Sequence, residues 1–316
     1  MSPKTRFIFN PQSGHNRRRP GLDAAIRQFI GSRPLDADFT TTEGPGHATE
    51  LAREAVAAGC ARVVAVGGDG TMNEVAQALV GAPAALALVP CGSGNGLALH
   101  LGLPTSPLGA LNLLASGDAR IAALDTGVVN GFPFFNAMGL GLDADVSRRF
   151  NCLARRGLPA YARTALKALR ELRREHCVIS TGDRRETIEV LLIAVANSDQ
   201  YGNNARIAPG ARVDDGQLDL IAVRPVGLLG AAGLTARLFC GGFDRSPHVM
   251  RLRGPHFTIE RPAAGLIHTD GETHEAHATI VVSVRPRSLR VVVPAGTPAV
   301  AFTEESAPAR FALQLP

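Results

Sequence analysis

Asp69 stands in an unusual place for a carboxylate. It lies within Gly67-Gly68-Asp69-Gly70-Thr71, after four apolar residues starting at Val63 and before a helical pattern that runs to Leu79. Glycines at 67, 68 and 70 let the backbone approach a ligand closely and take φ values closed to other residues. The N–H groups at the start of the following helix then favour a phosphate. A carboxylate in such a turn repels that anion unless it binds a metal or takes a proton, so the stretch reads as a site for phosphate chemistry. Thr71 and Glu74 also fit the S/T-x-x-E capping box, in which both would serve only the helix start.

Two further loops offer the same materials, Asn10-Pro11-Gln12-Ser13-Gly14 and Pro90-Cys91-Gly92-Ser93-Gly94-Asn95-Gly96. Either alone is an ordinary turn, and the G-x-G-x-G spacing of the second is not the dinucleotide fingerprint. Neither lysine of the chain, Lys4 or Lys167, follows a glycine, which excludes a Walker A loop; no V-A-I-K-like strand of a protein kinase is present either. A phosphotransferase built on this chain must therefore use backbone amides, Mg²⁺ and arginine where others use lysine. Near the other end, His268, Asp270, Glu272, His274 and His277 have the composition of a metal cluster. Gly271 breaks the strand alternation such a cluster needs, and the segment reads instead as an Asp-Gly turn with solvated histidines.

The elements that must position these loops alternate between strand and helix over residues 5–124. Three strand, loop, helix units imply a mostly parallel, doubly wound sheet, in which ligands gather at the carboxyl ends of the strands. All three glycine-bearing loops fall at that edge. After Gly127 the chain turns β-rich, with turn signals at Asn130-Gly131 and Gly182-Asp183 and helical patterns at about 155 to 175 and 227 to 240. This second part reads as a mainly antiparallel β domain.

The length of 316 residues fits about two domains, and 45% hydrophobic with 19% charged residues is a globular composition. Five scattered cysteines without a C-x-x-C pair argue against a disulfide framework or zinc ribbon and for a reducing compartment. The N-terminus lacks the apolar core of a signal peptide, so export is not expected. Residues 75–117 contain no Asp, Glu, Lys or Arg, yet Pro83, Pro90, Asn95 and Pro104 cut them into pieces shorter than the ~20 residues that span a bilayer. The net charge of +5 is compatible with anionic partners and does not choose among them.

Taken together, N-P-x-S-G, G-G-D-G-T-x-N-E, P-x-G-S-x-N, D-D-G-x-L-D-L and D-G-E, in this order from Phe7 to about Val293, resemble the diacylglycerol kinase catalytic-domain family, which includes bacterial lipid kinases and the sphingosine kinases. The resemblance implies an ATP-binding α/β domain over 1–125, a lipid-binding β-sandwich domain over 126–300, and a tail over 301–316 that packs back on the first. It implies a cytoplasmic ATP- and Mg²⁺-dependent lipid kinase working at the inner membrane face, with no nucleic-acid partner. Carried over by motif, ATP is expected against Asn10, Pro11, Gln12, Thr42, Gly67, Gly68, Asp69, Gly70, Thr71, Asn73, Glu74, Gly92, Ser93, Gly94, Asp270 and Gly271. Asp215 matches a structural Mg²⁺ ligand, with the carbonyls of Arg212 and Gln217 beside it; a plain turn at Asp214-Asp215-Gly216 is the alternative. Two residues compete as general base, Glu272 by likeness to the bacterial branch and Asp69 by likeness to the sphingosine branch.

Asp145 matches the position where sphingosine kinases contact the polar head group, while a helix N-terminal Asp on the macrodipole is its plainer reading. Gly92-Ser93-Gly94-Asn95 favours a sphingoid base and Asp214-Asp215-Gly216 a glycerolipid. Arg163, Lys167, Arg170 and Arg174 form one helical stripe, suited to an anionic membrane surface or simply to water. G-G-D-G is shared with NAD kinases and phosphofructokinases, which lack the N-P-x-S-G and D-G-E partners. An inactive nucleotide- or lipid-binding protein is the third reading, opposed by the intact Asp69, Glu74, Asp215 and Glu272.

Overall fold

The computed structural model describes residues 4–14, 16–18, 21–116, 118–151 and 174–297. They form two compact units, one from residues 4–124 with 287–297 and the other from Asp125–Pro286. The expected helical pattern at about 155 to 175, the stripe residues Arg163, Lys167 and Arg170, and the 301–316 tail lie outside the described residues.

The first unit runs β1 (Thr5–Phe9), α1 (Leu22–Gly31), β2 (Ala37–Thr41), α2 (His47–Ala57), β3 (Arg62–Gly67), α3 (Asp69–Leu79), β4 (Ala85–Pro90), α4 (Gly96–His100), α5 (Pro107–Ala115) and the start of β5 (Ala119–Val129). The strands pair in the order β2-β1-β3-β4, all parallel. β3 and β4 are buried almost throughout, which is why both read as continuous apolar runs with no alternation. Phe7, Phe9, Val64, Val66, Ala87 and Val89 share a core with Ile26 and Phe29 of α1 and Leu111 of α5. The chain leaves β1 towards β2 on one side and returns to β3 on the other. The carboxyl ends of β1 and β3 therefore form the topological switch point, where open α/β sheets place their ligands.

The second unit continues through β6 (Phe132–Phe134), β7 (Ala137–Gly141), α6 (Leu142–Asn151), β8 (Glu175–Thr181), β9 (Arg184–Val190), β10 (Leu192–Ala196), β11 (Leu218–Val223), α7 (Leu228–Cys240), β12 (Val249–Gly254), β13 (His256–Glu260), β14 (Gly265–Thr269), β15 (Glu272–Ala276) and most of β16 (Thr279–Pro294). Two antiparallel layers, β12-β11-β10-β7-β14-β15 and β16-β13-β8-β9, face a common core that includes Met138, Ile179, Ile193, Leu220, Phe257 and Ile267. This is a β-sandwich. β16 continues past Arg287, which takes a φ of 50°, into the first unit, where Val291 pairs in parallel with Leu86. The return thus comes at 287 and not at the 300 expected from sequence. Among the described residues no helix is long and apolar enough to cross a membrane.

Candidate active site

Four loops of the first unit are tied to one another at the switch point. After β1, the Asn10 side-chain oxygen accepts from the Gln12 N–H at 2.9 Å, its amide group donates to the Thr71 hydroxyl at 2.8 Å, and its backbone N–H donates to Val66 O at 3.0 Å. Pro11 lies between the two turn residues. Ser13 Oγ accepts from the Gly68 N–H at 3.2 Å. Thr42, buried just past β2, donates its N–H to Phe9 O at 2.9 Å. After β4, Cys91 N–H donates to Gly67 O at 2.7 Å, and Asn95 closes the loop by exchanging two 3.0 Å bonds with the Gly92 backbone. Ser93 is exposed at the loop tip. A small recess open to solvent is lined by Gly67, Gly68, Asp69, Pro90, Asn95 and Leu97, among others.

The glycines serve space and not backbone angle, which corrects the expectation drawn from their spacing. None of Gly67, Gly68, Gly70, Gly92 or Gly94 has a positive φ. A Cβ on Gly92 would stand 2.7 Å from Gly68 Cα, one on Gly67 would run into the Thr71 side chain, and one on Gly94 would reach Asp69 Oδ2 at 2.7 Å. The two glycine loops therefore pack backbone against backbone. Gly70 differs from the others. Nothing lies within 4 Å of the position its Cβ would take, it is exposed, and it sits in the first turn of α3, whose N–H groups have no intrahelical acceptor. Asn73, one turn on, is buried with a side-chain oxygen that has no hydrogen-bond partner. The open first-turn N–H groups fit an anionic ligand such as a nucleotide phosphate, whereas the Asn73 oxygen, an acceptor, calls for a donor or a cation.

Asp69 does not face outward. Its Oδ2 accepts from Asn95 N–H and its Oδ1 from Gly96 N–H, both at 2.8 Å. Loss of water pushes its carboxyl pKa up, and those N–H donors pull it part of the way back. The side chain expected to point at a reacting phosphate instead clamps the second glycine loop and the start of α4. The capping box is also replaced. α3 begins at Asp69 with Gly68 as its N-cap, so Thr71 is already helical and its hydroxyl serves Asn10. Glu74 accepts from the Ala48 N–H at 3.0 Å, and Thr49 donates its hydroxyl to Glu74 O at 2.9 Å. Glu74 therefore satisfies the start of α2, a neighbouring helix whose own N-cap, Gly46, offers no side chain.

In the second unit, Asp270 and Gly271 form the β14–β15 hairpin turn, with φ of 49° and 91°. Two successive left-handed residues make the tight turn that Asp-Gly sequences favour. Asp270 is not available to a ligand: its carboxylate accepts from the N–H groups of Phe135, Asn136 and Ala137 at 2.7, 2.8 and 2.9 Å. Burial outweighs those donors and raises its pKa to about 6. Glu272, partly exposed, opens β15 opposite Thr269. The histidines of the segment are engaged separately: His274 bonds Thr269 at 2.8 Å and stacks on Phe132, while His268 Nε2 lies 3.0 Å from Asp143.

No motif pointed to Asp143. It is buried at the start of α6, accepts from the Tyr201 hydroxyl, and lies with His268 over Gly139, where any Cβ would collide with both. Gly271 N–H donates to His268 Nδ1 at 3.3 Å, and Nε2, on the other side of the ring, lies near Asp143 without a hydrogen bond to it. Asp145, expected at a lipid head group, is paired along its own helix with Arg148 at 2.7 Å and Arg149 at 2.6 Å. Asp215 carries no outward carboxylate for a dication either. Its Oδ1 accepts from Gln217 N–H at 3.0 Å and its Oδ2 pairs with the Arg253 guanidinium, while Arg212 turns its side chain to Asp214. Among the described residues no three His, Cys, Asp or Glu side chains converge as a metal site.

Comparison with known proteins gives a consistent pattern. Residues 4–128 match the family model described as diacylglycerol kinase catalytic domain, and residues 136–293 match the YegS C-terminal NAD kinase beta sandwich-like domain. A "Probable lipid kinase YegS-like" of Pseudomonas aeruginosa (strain UCBPP-PA14) is 35% identical over 296 residues, covering 92% of this chain and 94% of the relative. A protein of the same description from Pseudomonas fluorescens (strain Pf-5) is 33% identical, covering 89% and 94%. Among solved structures, a putative diacylglycerol kinase from Bacillus anthracis superposes with a TM-score of 0.78 at 23% identity, covering 95% of this chain and 97% of that one.

Proposed function

We propose that this chain, which belongs to the diacylglycerol kinase catalytic-domain family, transfers the γ-phosphate of ATP to a hydroxyl group of a membrane lipid. The observation that carries the reading is the set of cross-tied loops at the carboxyl ends of β1, β3 and β4, in which Gly70 is left open at the first turn of α3. In this reading the phosphates lie against the first-turn N–H groups of α3 and the partly exposed loop of Asn10, Pro11 and Gln12. Thr42, Asn73, Gly92, Ser93 and Gly94 border the nucleotide. Asp69, Thr71 and Glu74 act as positioning residues, because their polar atoms hold neighbouring loops and helices. Magnesium bound with ATP would supply positive charge to offset that developing on the phosphates.

Glu272 is the general base in this account, taking the proton of the lipid hydroxyl. Asp270 fixes the turn before it through three backbone bonds, so the base is held without reorganisation. The acceptor is a lipid with an uncharged head group of the diacylglycerol type. A sphingoid ammonium would have to compete for Asp145 with two guanidinium groups that already match its charge. Membrane contact through Arg163, Lys167, Arg170 and Arg174 completes the proposal. Of these only Arg174 is described, 3.9 Å from Glu189.

Incubation with radiolabelled ATP and a mixed lipid extract tests the reading, followed by diacylglycerol and a sphingoid base side by side. Label should pass to lipid, with diacylglycerol the better acceptor. Label confined to water-soluble products would remove the lipid, and faster turnover of the sphingoid base would return Asp145 to head-group recognition.

A further inference from the structure

We propose that the cation position which the family resemblance implies at Arg212, Asp215 and Gln217 is held in this chain by its own Arg253, so that the turn is complete without a divalent ion. The turn is built from within the second unit. Gly216, at φ +69°, donates its N–H to Asp125 Oδ2 at 2.6 Å, and Asp125 N–H donates to Val213 O at 2.6 Å. Asp215 Oδ1 is spent on the Gln217 N–H, and Oδ2 meets the guanidinium of Arg253.

The strand register brings that arginine in. β12 runs antiparallel to β11 with Arg253 directly opposite Asp219, and the side chain passes 3.9 Å from Asp219 to end on Asp215. Two more arginines surround the turn. Arg251 lies 2.9 Å from buried Asp219 and 3.1 Å from Asp244, and Arg212 is bonded to Asp214. A hard dication needs about six oxygen ligands, mostly free of other partners, at short distance. Here the one expected carboxylate has both oxygens engaged, and the Arg253 guanidinium takes the side of Oδ2 where an ion would sit. A guanidinium supplies the same sign of charge through directed N–H bonds and costs less to dehydrate than a hard dication. Removing it leaves an unmatched carboxylate beside the turn, which opens the position to a cation.

The test uses the whole protein without nucleotide, so it does not depend on the kinase reading. Thermal unfolding and isothermal titration are followed in EDTA and in millimolar Mg²⁺ or Ca²⁺, for the native chain, Arg253→Met and Arg253→Lys. The native chain should melt within about 1 °C in all conditions. Arg253→Met should melt lower in EDTA and recover several degrees, roughly 3 to 6 °C, when either cation is added. Arg253→Lys should stay insensitive to both cations, and it preserves the comparison if the methionine variant does not fold. A native chain whose melting temperature climbs several degrees with either cation, or an Arg253→Met protein that binds neither, overturns the proposal.

Discussion

Asp69→Asn separates a clamping carboxylate from a catalytic one. The native side chain accepts two backbone N–H groups at 2.8 Å, one on each oxygen. The amide keeps one acceptor and turns an NH₂ group against the other N–H, so one charge-assisted bond, worth about 1.5–3 kcal/mol, is lost. Part of this is offset, because the amide avoids the burial that raises the native carboxyl pKa. A net cost of about 1–2 kcal/mol falls on the closed state of the 92–96 loop. If nucleotide binds only that state, its dissociation constant rises by at most about 5- to 30-fold. Equilibrium titration with a non-hydrolysable ATP analogue reads the first quantity, and kcat at saturating ATP the second. The clamp predicts weaker nucleotide binding with kcat reduced less than about tenfold. Unchanged nucleotide affinity with kcat down a hundredfold or more would refute it and return Asp69 to the chemistry.

Two further substitutions probe other links. Gly70→Ala places a methyl group where nothing lies within 4 Å, so stability should hold or rise by about 0.5–1 kcal/mol. Nucleotide affinity should nonetheless fall at least about tenfold in the same titration, and unaltered affinity would show that phosphates do not approach there. Asp270, with its pKa raised to about 6, binds a proton in the folded state at pH values where the unfolded chain has released it. Its contribution is therefore greatest near pH 4 and is lost as pH rises through 6, by up to about 3 kcal/mol. Denaturant unfolding between pH 4 and 7 should show this fall in the native protein and not in Asp270→Asn; an identical slope in both would assign it to another group.

The strand-loop-helix repeat was legible because buried parallel strands leave continuous apolar runs, as in Val63–Val66 and Ala85–Val89. The glycine loops were legible as a group because three of them fell at one sheet edge. What each glycine does was not, since φ and Cβ clearance belong to the folded backbone: Gly92 faces Gly68, whereas Gly70 faces open space. Polar side chains that act across long sequence separations were equally hidden. Glu74 reads as a cap for its own helix and caps another; Asp125 reaches a turn at Gly216, and Arg253 reaches Asp215 only through the β11–β12 register. Asp143 and His268 carry no shared motif, and Gly139 between them becomes informative only once its missing Cβ is placed against both. The basic stripe is visible in sequence alone, since Arg163, Lys167 and Arg170 lie outside the described residues.

The central claim is that nucleotide held by the glycine loops donates its terminal phosphate to a lipid hydroxyl activated by Glu272. Transfer of label from γ-labelled ATP to diacylglycerol in vesicles, measured for the native chain and Glu272→Gln with nucleotide binding checked on both, tests it most directly. The account predicts equal nucleotide affinity and a loss of transfer of at least about a hundredfold in the variant. Equal rates of transfer by the two proteins would contradict it.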